Sequence, residues 1–125
     1  MLAEQFVAQE LQNSQPAYIS PELFYWSREN KNSNAELDFI FQHKNKIYPV
    51  EVKAGKTGTL KSLQVYLYEK KLKNGIRFNM DIPNIGNFKT KVNVPGKNKE
   101  LDWTLISLPL YMVSELGRII DSNLS

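Results

Sequence analysis

The sequence predicts an α/β fold on three observations. An apolar stripe at helical spacing opens the chain, two alternating stretches joined by a short polar turn lie near its middle, and a second helical pattern separates them from further strand-like runs. With 125 residues, 42% of them hydrophobic and 11% aromatic, the chain has material for one compact core and too little for two ordinary domains. A single domain over residues 1–125 is the expectation.

The elements follow in order. Leu2, Phe6, Val7 and Leu11 share one helical stripe among good helix formers, which predicts a helix over Met1 to Asn13, ended by Pro16 and Pro21. Leu23 to Arg28 is aromatic-rich and reads as a strand, followed by the polar turn cluster Glu29 to Asn34. Glu36 to Gln42 and Lys46 to Lys53 are two more strands around a tight turn. After Gly55 and Gly58, the pattern Leu60, Leu63, Val65, Leu67, Tyr68, Leu72 predicts a helix that stops at Asn74-Gly75. Strands are expected at Ile76 to Met80, Phe88 to Val94 and Trp103 to Leu108, with a loop at Asp81 to Asn87 and a turn at Pro95 to Asn98. Pro109 then starts a terminal helix toward Leu116.

Composition excludes several chemistries. Without cysteine there is no disulfide framework, thiolate metal site or thiol nucleophile, so oxygen donors and a hard cation such as magnesium or manganese are the natural pairing. His43 is the only histidine and falls in the hairpin turn, where an exposed position is expected; a multi-histidine site is excluded. No apolar run approaches the roughly 20 residues of a membrane span, and Met1 to Leu11 lacks the pattern of a signal peptide, so a soluble, cytoplasmic protein without membrane contact is expected. The formal charge of +3 is modest, but lysines and arginines gather after the hairpin, including Lys61, Lys70, Lys71, Arg77, Lys89 and Lys91, where they serve either as a solvated surface or as a track for a phosphate backbone.

The hairpin carries the chemistry. Side chains alternate along a strand, which puts Glu36, Asp38 and Ile40 on one face and Leu37, Phe39 and Phe41 on the other, with Glu51 and Lys53 together opposite Val50 and Val52. If Lys44 and Asn45 form a two-residue turn, Asp38 lies across from Glu51 and Glu36 from Lys53. Opposed carboxylates repel, and a dication reverses the sign of that interaction; magnesium is commonly held by one or two carboxylates plus substrate phosphate. Lys53 is then placed to orient or deprotonate a water, or to stabilise developing negative charge. The competing reading is a surface ion pair between Glu36 and Lys53 with Asp38 and Glu51 merely solvated. A register slip of one residue would separate the group altogether. Pro49 lies in the second strand and cannot donate to a ladder, which calls for partial or edge pairing there.

Glu36-Leu37-Asp38-Phe39-Ile40 followed by Tyr48-Pro49-Val50-Glu51-Val52-Lys53-Ala54-Gly55 resembles the D…ExK signature of the PD-(D/E)xK, or restriction-endonuclease-like, superfamily. More narrowly, the chain is similar to the C-terminal domain of unknown function found behind the ATPase module of many prokaryotic AAA-type ATPases. That likeness includes the opening Leu2-Ala3-Glu4-Gln5-Phe6-Val7 and the closing Ile106-Ser107-Leu108-Pro109-Leu110-Tyr111-Met112-Val113. It implies an α/β/α sandwich with a central mixed sheet, magnesium or manganese, and phosphodiester cleavage on DNA. By position, Asp38 and Glu51 would be metal ligands, Lys53 the catalytic lysine, and Glu4 on the first helix a further ligand. Glu36, Gln64 and Tyr68 would support them, the last two through a glutamine-x-x-x-tyrosine pattern that equally suits helix packing. Leu37 stands where the literal signature has proline.

Ala54-Gly55-Lys56-Thr57 resembles the end of a phosphate-binding loop, but Val50 stands where the first glycine is required, so no ATP is expected on this domain. The resemblance puts an ATPase domain upstream, with this chain as the C-terminal part of a longer protein. Two functions remain open at this point: a metal-dependent nuclease acting on DNA, or a catalytically inactive module that binds nucleic acid or protein beside an ATPase.

Overall fold

The computed structural model describes residues 5–7, 9–10, 37–53, 60–80, 82–94 and 97–124. The chain forms an α/β sandwich around a five-stranded mixed sheet in the order β1-β2-β3-β5-β4. The strands are β1 (Phe39–His43), β2 (Lys46–Val52), β3 (Asn74–Asn79), β4 (Asn84–Val94) and β5 (Lys97–Pro109). Helix α1 (Lys61–Lys70) joins β2 to β3, and a 3-10 segment (Leu110–Glu115) leads from β5 into α2 (Leu116–Asn123). β1–β2 and β4–β5 are antiparallel, whereas β2–β3 and β3–β5 are parallel. A parallel neighbour requires a crossover, and α1 is that crossover between β2 and β3.

The first hairpin has the expected register. Phe39 pairs with Val50, Phe41 with Tyr48 and His43 with Lys46. Lys44 and Asn45 both take positive φ, 50° and 67°, as a two-residue turn of the primed type demands. Pro49 fits without cost for a geometric reason. Counting from the turn, His43–Lys46 is a hydrogen-bonded pair and the pairs alternate, so Ile40–Pro49 is a non-bonded one and the Pro49 nitrogen points away from β1. On its other side, pairing with β3 begins only at Val50.

Both faces of the sheet are buried over β1, β2, β3 and the C-terminal half of β5, whereas β4 is largely exposed. One face carries Phe39, Phe41, Tyr48, Val50, Val52, Ile76, Phe78, Ile106 and Leu108, all in the core. The C-terminal segment covers this face, since Gly117 of α2 lies over the His43 ring, with an added Cβ only 3.1 Å from Cε1. The opposite face carries Ile40, Glu51, Gly75 and Leu105, and α1 covers it: a Cβ on Gly75 would stand 2.5 Å from Leu63 Cδ2. Val7, in the described part of the N-terminal helix, is fully buried.

Several boundaries differ from the sequence reading. Helix α1 ends at Lys70, short of Asn74-Gly75. Lys71 takes the left-handed conformation (φ 59°), its N–H donates to Tyr68 O at 3.3 Å, and the Leu72 N–H donates to Leu67 O at 2.8 Å. This is a Schellman stop with lysine in the usual glycine position. Gly75 is therefore a strand residue, required by the close approach of Leu63 and not by a turn. β4 starts at Asn84 inside the expected loop, and β5 runs from Lys97, well before Trp103. β4 pairs with β5 over its whole length, from Asn84↔Ser107 to Val94↔Lys97, and that ladder overrides the weak strand propensity of Asn84, Gly86 and Asn87. Pro109 ends β5 and precedes a 3-10 segment; the α-helix begins only at Leu116. The expected strand at Leu23 to Arg28 lies outside the described residues, as does most of the first helix.

Candidate functional site: a polar row across the sheet

Glu51 lies in β2, between Val50 and Val52, on the face under α1, and it is 6% exposed. A carboxylate so placed needs compensation. Lys53, two residues on and therefore on the same face, brings Nζ to 3.5 Å from Glu51 Oε2. In the next strand Arg77 is the register partner of Glu51, so a second cation stands beside it at the spacing of adjacent strands. The guanidinium Nη2 of Arg77 donates to Ser107 Oγ at 2.9 Å, and Ser107 is in turn the register partner of both Arg77 and Asn84. A line of polar residues, Glu51, Arg77, Ser107 and Asn84, thus crosses four strands on one face.

Asp38 extends that line beyond β1. It sits in a bend one residue before the strand, half-buried, and by continuation of the register it faces Glu51. Its Oδ2 accepts a 2.7 Å hydrogen bond from the Val52 backbone N–H. The alternation of bonded pairs would have sent that N–H to the carbonyl of Leu37; the carboxylate takes the carbonyl's place and closes the ladder. The Lys53 N–H bonds to Phe78 O at 2.8 Å, which ties the strand end to β3 and fixes the root of the lysine.

Of the residues singled out in the sequence, the structure therefore gathers Asp38, Glu51 and Lys53 at the ends of β1 and β2. Gln64 and Tyr68, one turn apart on α1, are half-buried on the helix that covers the same face. Glu4 and Glu36 lie outside the described residues. Among the described residues no group of three or more acidic, histidine or cysteine side chains is arranged to hold a metal; Asp38 and Glu51 are the two acids of the proposed set that can be placed. Three residues of the row, Arg77, Ser107 and Asn84, were not recognised as part of the site from the sequence. Arg77 shows a signal there, a cation between Ile76 and Phe78 in an otherwise apolar strand, but its meeting with Glu51 depends on which strands become neighbours. Ser107 and Asn84 show none.

His43 is not the exposed turn residue expected. It ends β1, is 7% exposed, stacks on Phe41 at 5.7 Å between ring centroids, and brings Nε2 to 2.9 Å from Asp121 Oδ1 in α2. Lys44 Nζ reaches the other oxygen, Asp121 Oδ2, at 3.1 Å. The hydrogen bonds from His43 and then Lys44 hold the Asp121 carboxyl below the ordinary aspartate range. Trp103 is a core residue, tilted against Phe88 and donating from Nε1 to Thr90 Oγ1 at 3.1 Å.

No described helix is long and apolar enough to cross a membrane. A family described as Domain of unknown function (DUF4143) matches residues 1–106, so the match takes in the whole polar row except Ser107 and stops short of α2. Among curated proteins none matches the chain.

Proposed function

The chain belongs to the DUF4143 family, a domain of unknown function, and from that premise we propose that Asp38, Glu51 and Lys53 form a restriction-endonuclease-like site that hydrolyses phosphodiester bonds in DNA with magnesium or manganese. The observation that carries the reading is the meeting of a buried carboxylate, Glu51, with Lys53 at 3.5 Å and with Asp38 across the hairpin. The donor set fits a hard dication: two carboxylates leave the remaining positions to water and phosphate oxygen, the usual arrangement for magnesium. Asp38 and Glu51 would hold the ion, which supplies positive charge to the scissile phosphate and acidifies water. Lys53, 32% exposed and rooted by its backbone bond to β3, orients the attacking water or steadies the charge that develops on phosphate. Arg77 keeps the row near neutrality before substrate arrives. An ATPase domain upstream is the partner this reading implies; ATP binding by this domain is not part of it.

A second reading has its own observation. The Asp38 carboxylate already accepts the Val52 N–H, and Lys53 and Arg77 flank Glu51, so the same residues serve as the polar seam of a catalytically silent module that binds nucleic acid or protein. One experiment separates the two. Magnesium and manganese are titrated into the protein with single- and double-stranded DNA, beside Asp38→Asn and Lys53→Ala. Metal-dependent cleavage lost in both variants supports the nuclease; no cleavage together with no metal-dependent rise in Tm removes it. DNA or partner binding that survives both substitutions supports the module.

A further inference from the structure

A concave site lies at the turn end of the first hairpin, opposite the end that carries Asp38 and Glu51. There the turn of β1 and β2 meets α2 around a pocket of about 270 Å³. Its polar wall is Lys44, Lys46, Tyr48 and the His43–Asp121 pair, and its apolar floor is Ile120 with Leu124. The charges do not cancel. Asp121 is engaged by both His43 and Lys44, which matches its one negative charge to the Lys44 ammonium. Lys46 is exposed at the rim, and among the described residues no carboxylate pairs with it. The pocket is thus left with one positive charge.

Tyr48 is the second, independent observation. The residue is 3% exposed yet lines the pocket, and no described residue accepts a hydrogen bond from its hydroxyl. Burial first and the Asp121 charge second push this phenol above its ordinary range, so it stays a neutral donor at neutral pH. The hydroxyl is the part of this residue that opens to the pocket, so an occupant can take up its donor in place of solvent. An anionic oxygen does so, and the anion also meets Lys46.

We propose that this pocket binds a small organic carboxylate, with one oxygen on the Tyr48 hydroxyl, the charge against Lys46 and the carbon body on Ile120 and Leu124. A single negative charge matches the pocket's surplus of one. The volume, just below that of drug-sized sites, limits the ligand to a small one. The apolar floor favours a carboxylate with a carbon body over a bare inorganic oxyanion. An occupant would bridge the hairpin, inside the segment matched by the family, to α2, outside it.

Benzoate is the test ligand, followed by two-dimensional NMR and calorimetry on the whole chain, with benzamide and inorganic phosphate as comparators. The expected result is saturable benzoate binding with shifts confined to the hairpin turn and α2. Benzamide, Tyr48→Phe and Lys46→Gln should each weaken binding about tenfold or more, the loss of one charge-assisted hydrogen bond. Tyr48→Phe keeps the ring in the core, and Lys46→Gln changes an exposed side chain, so the latter decides the matter if the former perturbs folding. Unsaturable binding, equal affinity for benzamide, indifference to Lys46→Gln, or phosphate bound as tightly as benzoate would each overturn the assignment.

Discussion

The Asp38 carboxylate accepts the backbone N–H of Val52 at 2.7 Å, replacing the carbonyl that a longer β1 would have offered. This residue consequently has two separable properties, an acceptor oxygen and a charge. Asp38→Asn retains the first and removes the second; Asp38→Ala removes both. Denaturant unfolding should show the alanine variant destabilised by about 1–3 kcal/mol, the cost of an unsatisfied buried N–H, and the asparagine variant by markedly less. Under the nuclease reading both lose metal-dependent stabilisation. Under the module reading, asparagine leaves binding and stability near wild type.

Glu51 and Lys53 give a complementary prediction. Lys53→Ala leaves a buried carboxylate short of one cation, and unfolding should show a loss of about 1–2 kcal/mol, reduced from the value of a fully buried pair because the lysine is partly exposed. If the pair is a metal site, magnesium should raise the Tm of Lys53→Ala by more than that of the wild type, since the dication then replaces the missing ammonium. An equal or smaller rise argues against metal at Glu51.

Gly75 reports on the packing of α1 over the site. Its added Cβ would meet Leu63 Cδ2 at 2.5 Å and Cγ at 3.3 Å, and Leu63 is completely buried. Gly75→Ala should therefore destabilise by about 1–3 kcal/mol. Combining it with Leu63→Ala should give a loss smaller than the sum of the two single changes, read from a double-mutant cycle in urea. Additivity would show that α1 does not press on β3 at this point.

The clamp between the hairpin and α2 sets a pH dependence. The folded-state pKa of Asp121 is depressed by His43 and Lys44, so its contribution is fully present above the ordinary aspartate pKa of about 4 and is lost as pH falls through the lower folded value. Asp121→Asn should flatten this acid limb while leaving the stability curve's shape at neutral pH unchanged. Thermal unfolding between neutral and strongly acidic pH measures it. An acid limb identical in the variant would remove Asp121 as its source.

The sequence by itself determined whatever depends on neighbours a few residues away. Alternation separated Glu51 and Lys53 from Val50 and Val52, and the two-residue turn at Lys44-Asn45 set the register that places Asp38 across from Glu51. Both are local consequences of strand pleat and turn geometry. The tertiary structure decided the rest. Inserting β3 between β2 and β5 brought Arg77 beside Glu51 and Ser107 beside Arg77. Closing α1 over that face buried Glu51 and gave Gly75 its reason. The full β4–β5 ladder turned an expected loop into strand, and docking α2 took His43 out of solvent. Such contacts join residues tens of positions apart, and their free energy comes from burying and pairing groups that no local period relates.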